Sequence, residues 1–184
     1  MKLSDFKRIA LVENQWLKLL QDNYTLPNGA PCTYYHVMQQ DAVMAIAVAV
    51  IDAELSTVIV RQYRHPVGQE IWQFPLGGFN PDTDSATNAA AKELAEETGF
   101  HFGSVEKTGS FYANPGFTNQ KVHVCVASEI TGQSAVSLDA TEYGLVSKIV
   151  PVADILPMIE SGEMGDAWGI TGLHYLNRYA DDLK

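Results

Sequence analysis

Glu93, Glu96 and Glu97 stand at positions i, i+3 and i+4 near the acidic end of the stretch Gly78 to Phe100. At about 3.6 residues per turn, that spacing sets all three carboxylates on one side of a helix. They repel one another there unless something positive lies between them. Hard divalent cations are held by carboxylate oxygens together with substrate phosphates, so the chemistry on offer is metal-assisted attack at a phosphate. The competing reading is a solvated helix face on which Lys92 partly neutralises Glu96. Two cations, Arg61 and Arg64, stand at the end of a Val/Ile-rich segment, and two acids, Asp139 and Glu142, stand well beyond the glutamates.

The elements that position these residues read as follows. A Pro-Asn-Gly turn at residues 27–29 predicts an N-terminal hairpin, Trp16 to Tyr24 pairing with Thr33 to Met38. Ala42 to Ile51 is a continuous apolar run and Ser56 to Tyr63 is β-branched, so both read as strands joined by a short turn at Asp52-Ala53-Glu54. Arg61 and Arg64 end the second of these strands, and a loop through Pro66 and Gly68 leads to Trp72-Gln73-Phe74-Pro75-Leu76-Gly77-Gly78. The carboxylates fall on a helix from Ala86 to Glu97, capped by Asp84 or Ser85 and stopped at Gly99. Strands follow at Lys107 to Tyr112 and Lys121 to Ser128, joined by the loop Ala113 to Asn119. A polar loop from Gly132 to Tyr143, a strand from Leu145 to Val150 and helices at Ala153 to Ser161 and Gly169 to Asp181 complete the chain. Interleaved strands and helices favour an α/β or α+β layered fold.

At 184 residues, with 46% hydrophobic and 18% charged side chains, the chain is expected to fold throughout around one main core. A net charge of −10 argues against a nucleic-acid or anionic-membrane partner and makes a metal the natural mediator for an anionic substrate. Cys32 and Cys125 are too few for a disulfide framework or a Cys-rich zinc site, which suits a reducing compartment. The N-terminal residues carry no leader pattern, and the longest apolar run is about half a membrane span. The expected location is cytoplasmic.

Gly78, Asp84, Lys92-Glu93, Glu96-Glu97 and Gly99 together follow the pattern G-x5-(acid)-x7-(base)-E-L-x-E-E-x-G. In this the chain resembles the Nudix hydrolases, whose signature is a strand-loop-helix motif. It departs from the family pattern at Asp84, Lys92 and Phe100, where Glu, Arg and an aliphatic residue are usual; Lys92 lacks the planar fork of arginine. The resemblance implies an α/β/α sandwich around a mixed β-sheet and a Mg²⁺ site, with Mn²⁺ as an alternative. Its ligands would be Glu93, Glu96, Glu97 and the backbone carbonyl of Gly77. Residues 41–184 would form the Nudix domain and residues 1–40 an N-terminal hairpin arm.

Flanking segments, Gln62-Tyr63-Arg64, Trp72 to Gly78, Asn114 to Asn119 and Ile159 to Ala167, resemble the ADP-ribose pyrophosphatase branch. That branch hydrolyses nucleoside diphosphate sugars to a nucleoside monophosphate and a sugar phosphate. The resemblance implies that Arg64 contacts the diphosphate, with Arg61 either sharing the task or pairing with acids outside the site. Phe79, Pro115, Gly116 and Phe117 would wall the ribose, although Phe79 reads equally as packing. Trp16 and Tyr34 or Tyr35 would stack on the base or fill the hairpin's own core. The general base would be Glu142, with Asp139 as competitor. Gln73 and Gln120 stand where relatives usually carry acids, so the preferred base or sugar need not be that of ADP-ribose. Two alternatives stay open: a non-catalytic nucleotide-sugar sensor on the same fold, and a hydrolase of another nucleoside polyphosphate. A hairpin too small to bury both faces predicts a homodimer.

Overall fold

The computed structural model describes residues 3–182. Its contacts divide into two units, one holding the chain up to Asp41 together with Phe111–Val122, the other holding Ala42–Ser110 and the chain from His123 onward.

The first unit contains a three-stranded antiparallel sheet in the order β1 (Ser4–Glu13), β2 (Leu17–Thr25), β3 (Pro31–Gln39). The expected hairpin is β2 and β3, in a ladder running from Leu17 opposite Gln39 to Thr25 opposite Pro31. β1 was not anticipated, because Ser4–Glu13 shows no alternation of buried and exposed side chains and every residue in it is exposed. One ion pair ties the three strands. Arg8 on β1 donates from Nε and a terminal nitrogen to both oxygens of Asp22 on β2, at 2.7 and 2.8 Å, and His36 Nε2 on β3 lies 2.9 Å from Asp22 Oδ2. The Arg8 guanidinium accordingly holds the buried Asp22 carboxyl below its usual range. The returning segment is hydrogen-bonded to β3: Val37 donates to the Phe117 carbonyl at 2.8 Å, and the Asn119 amide both accepts from and donates to the Gln39 backbone.

The second unit is built on β4 (Asp41–Ile51), β5 (Glu54–Arg64), β6 (Gln69–Gln73), β7 (Leu76–Phe79), α1 (Ala86–Thr98), β8 (Phe100–Tyr112), β9 (Lys121–Gln133), β10 (Val146–Pro151), α2 (Val152–Glu160) and α3 (Ala167–Asp182). The last residues of β8 and the first of β9 belong to the first unit. Strand order is β10-β5-β4-β9-β8, with β6 paired to β5 and β7 to β4. Every residue from Ala42 to Val48 is buried, as expected of a central strand covered on both faces. Side chains alternate along a strand, and the two sets meet different helices. Val43, Ala45 and Ala47 pack with Ala86, Ala89, Ala90 and Leu94 of α1. Met44 and Phe74 pack beneath Gly172 of α3. The result is the layered α/β/α arrangement.

β6 and β7 lie where a loop was expected. Their sequences are only five and four residues long, and what makes them strands is pairing with β5 and β4 rather than any pattern of their own. No helix among the described residues is long and apolar enough to cross a membrane.

Candidate active site

Two features of α1 aim its carboxylates. At the start, Ser85 is the N-cap, its hydroxyl accepting from the Asn88 N–H at 3.1 Å; Asp84 instead accepts from the Ser85 N–H. At the end, Gly99 turns left-handed with φ 76° and donates to the Ala95 carbonyl. A side chain at Gly99 would also collide with the Ser134 carbonyl, because the Ser134 N–H donates to the Gly99 carbonyl at 2.8 Å. Ser137 donates to the Glu96 carbonyl at 2.9 Å. The polar loop after β9 is thereby moored on the last turn of α1, and it ends in the 3-10 turn Ala140–Glu142.

That mooring brings Glu142 to Glu93 and Glu97, with one carboxylate oxygen from each of the three lying within 4.8 Å of the others. Glu142 Oε2 accepts from the Asp139 N–H at 2.8 Å, which fixes the carboxylate. Asp139 itself is not in the cluster. Glu97 is only 3% exposed, and its Oε2 has no hydrogen-bond partner. Burial, then the charges of Glu93 and Glu142, push Glu97 up to about 9; a hydrogen bond from the Leu76 backbone opposes the shift. Burial and then Glu96 push Glu93 up to about 7. Three converging carboxylates, two of them pushed up and one of those with an unpartnered buried oxygen, form a donor set that a divalent cation fits. Gly77 on β7 lies directly against this set. A β-carbon there would overlap the Glu93 carboxylate, so only glycine lets the β7 backbone reach the carboxylates.

Glu96 is placed differently from its two neighbours. It lies outside the carboxylate cluster and faces Lys92 at 3.5 Å, the i, i+4 pair of an exposed helix face. Arg64 ends β5 and is partly buried. Burial pushes its guanidinium down from the usual arginine value, against the pull of Glu97, Asp166 and Glu142. Its Nε donates to Gln73 Oε1 at 2.7 Å, and the Gln73 amide donates onward to Asp166. Arg61 is engaged outward, with Nε 3.3 Å from Glu70 and its guanidinium over the Trp72 ring.

Phe79 is 6% exposed within the core under α1, its ring edge-on to His123, so it packs the interior. Trp16 is 68% exposed, and Tyr34 and Tyr35 are also exposed, so none of them fills a core of the first unit. Within that unit Pro115 and Phe117 line a cleft of 360 Å³ with Phe6, Tyr34, His36 and Asn119. Tyr34 donates to the Gly116 carbonyl at 2.5 Å. The hydrogen bond between Gln73 and Asp166 escaped sequence reasoning. Ninety-three positions separate them, and the one available signal was a glutamine at a strand end where relatives carry an acid.

Comparison with known proteins agrees with this geometry. The Nudix domain model matches residues 41–166. The chain is 30% identical over 96% of its length to the ADP-ribose pyrophosphatase of Bacillus subtilis, spanning 95% of that protein. It is also 30% identical to a methanol dehydrogenase activator of Bacillus methanolicus, over 87% of this chain and 84% of that one. A crystal structure described as an ADP compounds hydrolase superposes with a TM-score of 0.83 at 17% identity, covering 100% of this chain and 96% of the other. By the family match over residues 41–166 and the identity shared along nearly its whole length, the chain belongs to the Nudix hydrolase family.

Proposed function

We propose that the protein hydrolyses the diphosphate bond of ADP-ribose or a related nucleoside diphosphate sugar, giving a nucleoside monophosphate and a sugar phosphate. The observation that carries this reading is the cluster of Glu93, Glu142 and the buried Glu97, with Arg64 in its field, in a chain similar along nearly its whole length to an ADP-ribose pyrophosphatase. Glu93, Glu97 and the Gly77 carbonyl would hold the cation, Mg²⁺ or in its place Mn²⁺, and Glu96 would join them only by leaving its pair with Lys92. When bound, a divalent cation neutralises phosphate oxygens and eases departure of the bridging oxygen.

The chain's own residues supply the rest. Arg64 binds diphosphate oxygens through its terminal nitrogens, a charge-assisted contact favoured by the fork of arginine. Glu142, its Oε2 held by the Asp139 N–H, takes a proton from the attacking water on Oε1. A new P–O bond forms opposite the bridging oxygen, which leaves with one phosphate. Pro115, Gly116, Phe117 and Trp16 supply exposed contacts for the nucleoside or sugar. Cys32 and Cys125 are both free thiols, which suits a reducing cytoplasm. The small N-terminal sheet, unable to bury both of its faces alone, supports reading the protein as a homodimer.

A panel of nucleoside diphosphate sugars with Mg²⁺, resolved by chromatography, tests the activity. Stoichiometric nucleoside monophosphate and sugar phosphate are expected from at least one member, and Glu142→Gln should lower turnover by about 100-fold or more. No monophosphate from any member rejects the activity; normal turnover by Glu142→Gln rejects the base.

A further inference from the structure

We propose that Gln73 and Asp166 form a relay that positions Arg64, engaging only its Nε so that both terminal nitrogens stay available to the diphosphate. The inference rests on the reading of Arg64 as a phosphate contact, and it adds two positioning residues that do not themselves touch substrate.

Gln73 is the last residue of β6 and is 7% exposed. Its amide offers an acceptor on one side and donors on the other, and each side has a partner. Oε1 accepts from Arg64 Nε at 2.7 Å, and Nε2 donates to Asp166 Oδ2. Asp166 is held in turn, because its Oδ1 accepts from the Gly169 N–H at 2.6 Å in the first turn of α3. The polarity is therefore fixed from end to end. The helix terminus orients the carboxylate, the carboxylate orients the amide, and the amide orients the guanidinium. Among the described residues no other side chain hydrogen-bonds the Arg64 guanidinium or pairs with it as an ion.

Engagement at Nε alone leaves the two-pronged face of the guanidinium to a diphosphate. Gln73 keeps Asp166 at one remove. Asp166 still pulls on the Arg64 charge, and the Gln73 carbonyl takes one of five N–H groups.

Reversing the polarity tests the relay. In Asp166→Asn the single amide oxygen stays with the Gly169 N–H and the amide NH₂ is left facing the Gln73 NH₂. Gln73 then turns over and presents donors to Arg64 Nε. In Gln73→Glu a second carboxylate faces Asp166. The double variant restores the pattern, since the carboxylate introduced at position 73 accepts both from Arg64 and from the amide introduced at position 166. With ADP-ribose and Mg²⁺, each single change is expected to raise KM about tenfold while kcat moves by less than about threefold, the pattern of lost ground-state contact. The double variant is expected to return KM to within about threefold of the parent protein. Thermal unfolding reads the same cycle without turnover: each single variant lowers Tm by about 2–4 °C and the double recovers it.

Single effects that multiply in the double variant, in KM or in Tm, overturn the relay, whether or not the protein acts on ADP-ribose. Recovery in Tm without recovery in KM overturns the positioning role. Arg64→Ala separates the underlying reading: unchanged KM in that variant rejects Arg64 as a phosphate contact, and the relay's role in binding falls with it. A raised KM there, with multiplicative effects at Gln73 and Asp166, rejects the relay alone.

Discussion

Glu97 is 3% exposed and keeps its proton up to about pH 9, whereas the same carboxyl in an unfolded chain titrates near 4.5. Between those values the folded state binds a proton that the unfolded state lacks, so stability falls as pH rises. The contribution is fully present below about pH 4.5 and is lost on passing through about 9. Glu93 acts in the same direction over a narrower window ending near 7. Glu97→Gln imitates the protonated acid at every pH. Without metal, the Tm of this variant minus that of the parent protein should therefore grow as pH is raised across the window between 4.5 and 9. Added Mg²⁺ should then reverse the order near its upper end by stabilising the parent protein alone. A difference that stays flat with pH, or Mg²⁺ raising both proteins equally, would sink the assignment. At this scale the sequence was informative where residues are neighbours on one helix. Spacing set Glu93, Glu96 and Glu97 together. It could not separate Glu96, whose side chain joins Lys92, because all three share a helical side to within one turn.

At the scale of elements, α1 was legible because its signals are local. A capping serine, alanine-rich turns and a terminal glycine act within a few residues of one another. What that helix does for Glu142 was not legible, since it depends on hydrogen bonds from Ser134 and Ser137 to the helix end. β6 and β7 were missed for the same physical reason: pairing partners, not their own residues, impose their extended form. The mooring makes a prediction about two ends of one helix. Gly99→Ala forces a side chain into a left-handed backbone and against the Ser134 carbonyl, and should cost about 1–2 kcal/mol. Ser85→Ala removes the N-cap and should cost about 1 kcal/mol. Stability alone would make the two variants alike. Turnover should distinguish them: Gly99→Ala displaces the loop that carries Glu142 and should lower kcat by about tenfold or more, as misplaced catalytic groups do. Ser85→Ala lies at the opposite end of α1 and should leave kcat nearly unchanged when measured well below its Tm. Equal kcat in the two variants would show that the loop is not positioned through Gly99.

At the scale of the whole molecule, the expectation of a homodimer began from a hairpin judged too small to stand alone, and the third strand strengthens the physical case. Among the described residues β1 is an edge strand, with β2 on one side and no strand pairing its other edge. All ten of its residues are exposed, among them Phe6 at 51%, Leu11 at 46% and Val12 at 50%. Isolated exposed apolar residues are ordinary, but a long edge strand carrying several of them offers unpaired backbone groups and apolar surface together, which soluble chains usually blunt or cover. A net charge of −10 opposes indiscriminate association and leaves a specific, symmetric contact as the economical cover. Sedimentation equilibrium should then give twice the 20.2 kDa chain mass. Leu11→Lys combined with Val12→Lys places charge on the edge without touching the Arg8 to Asp22 pair that ties the sheet, and should shift the protein to monomer. Circular dichroism before and after the change separates loss of association from loss of folding. A parent protein that sediments as a monomer at micromolar concentration rejects the dimer. A lysine variant that stays folded and dimeric moves the interface away from β1.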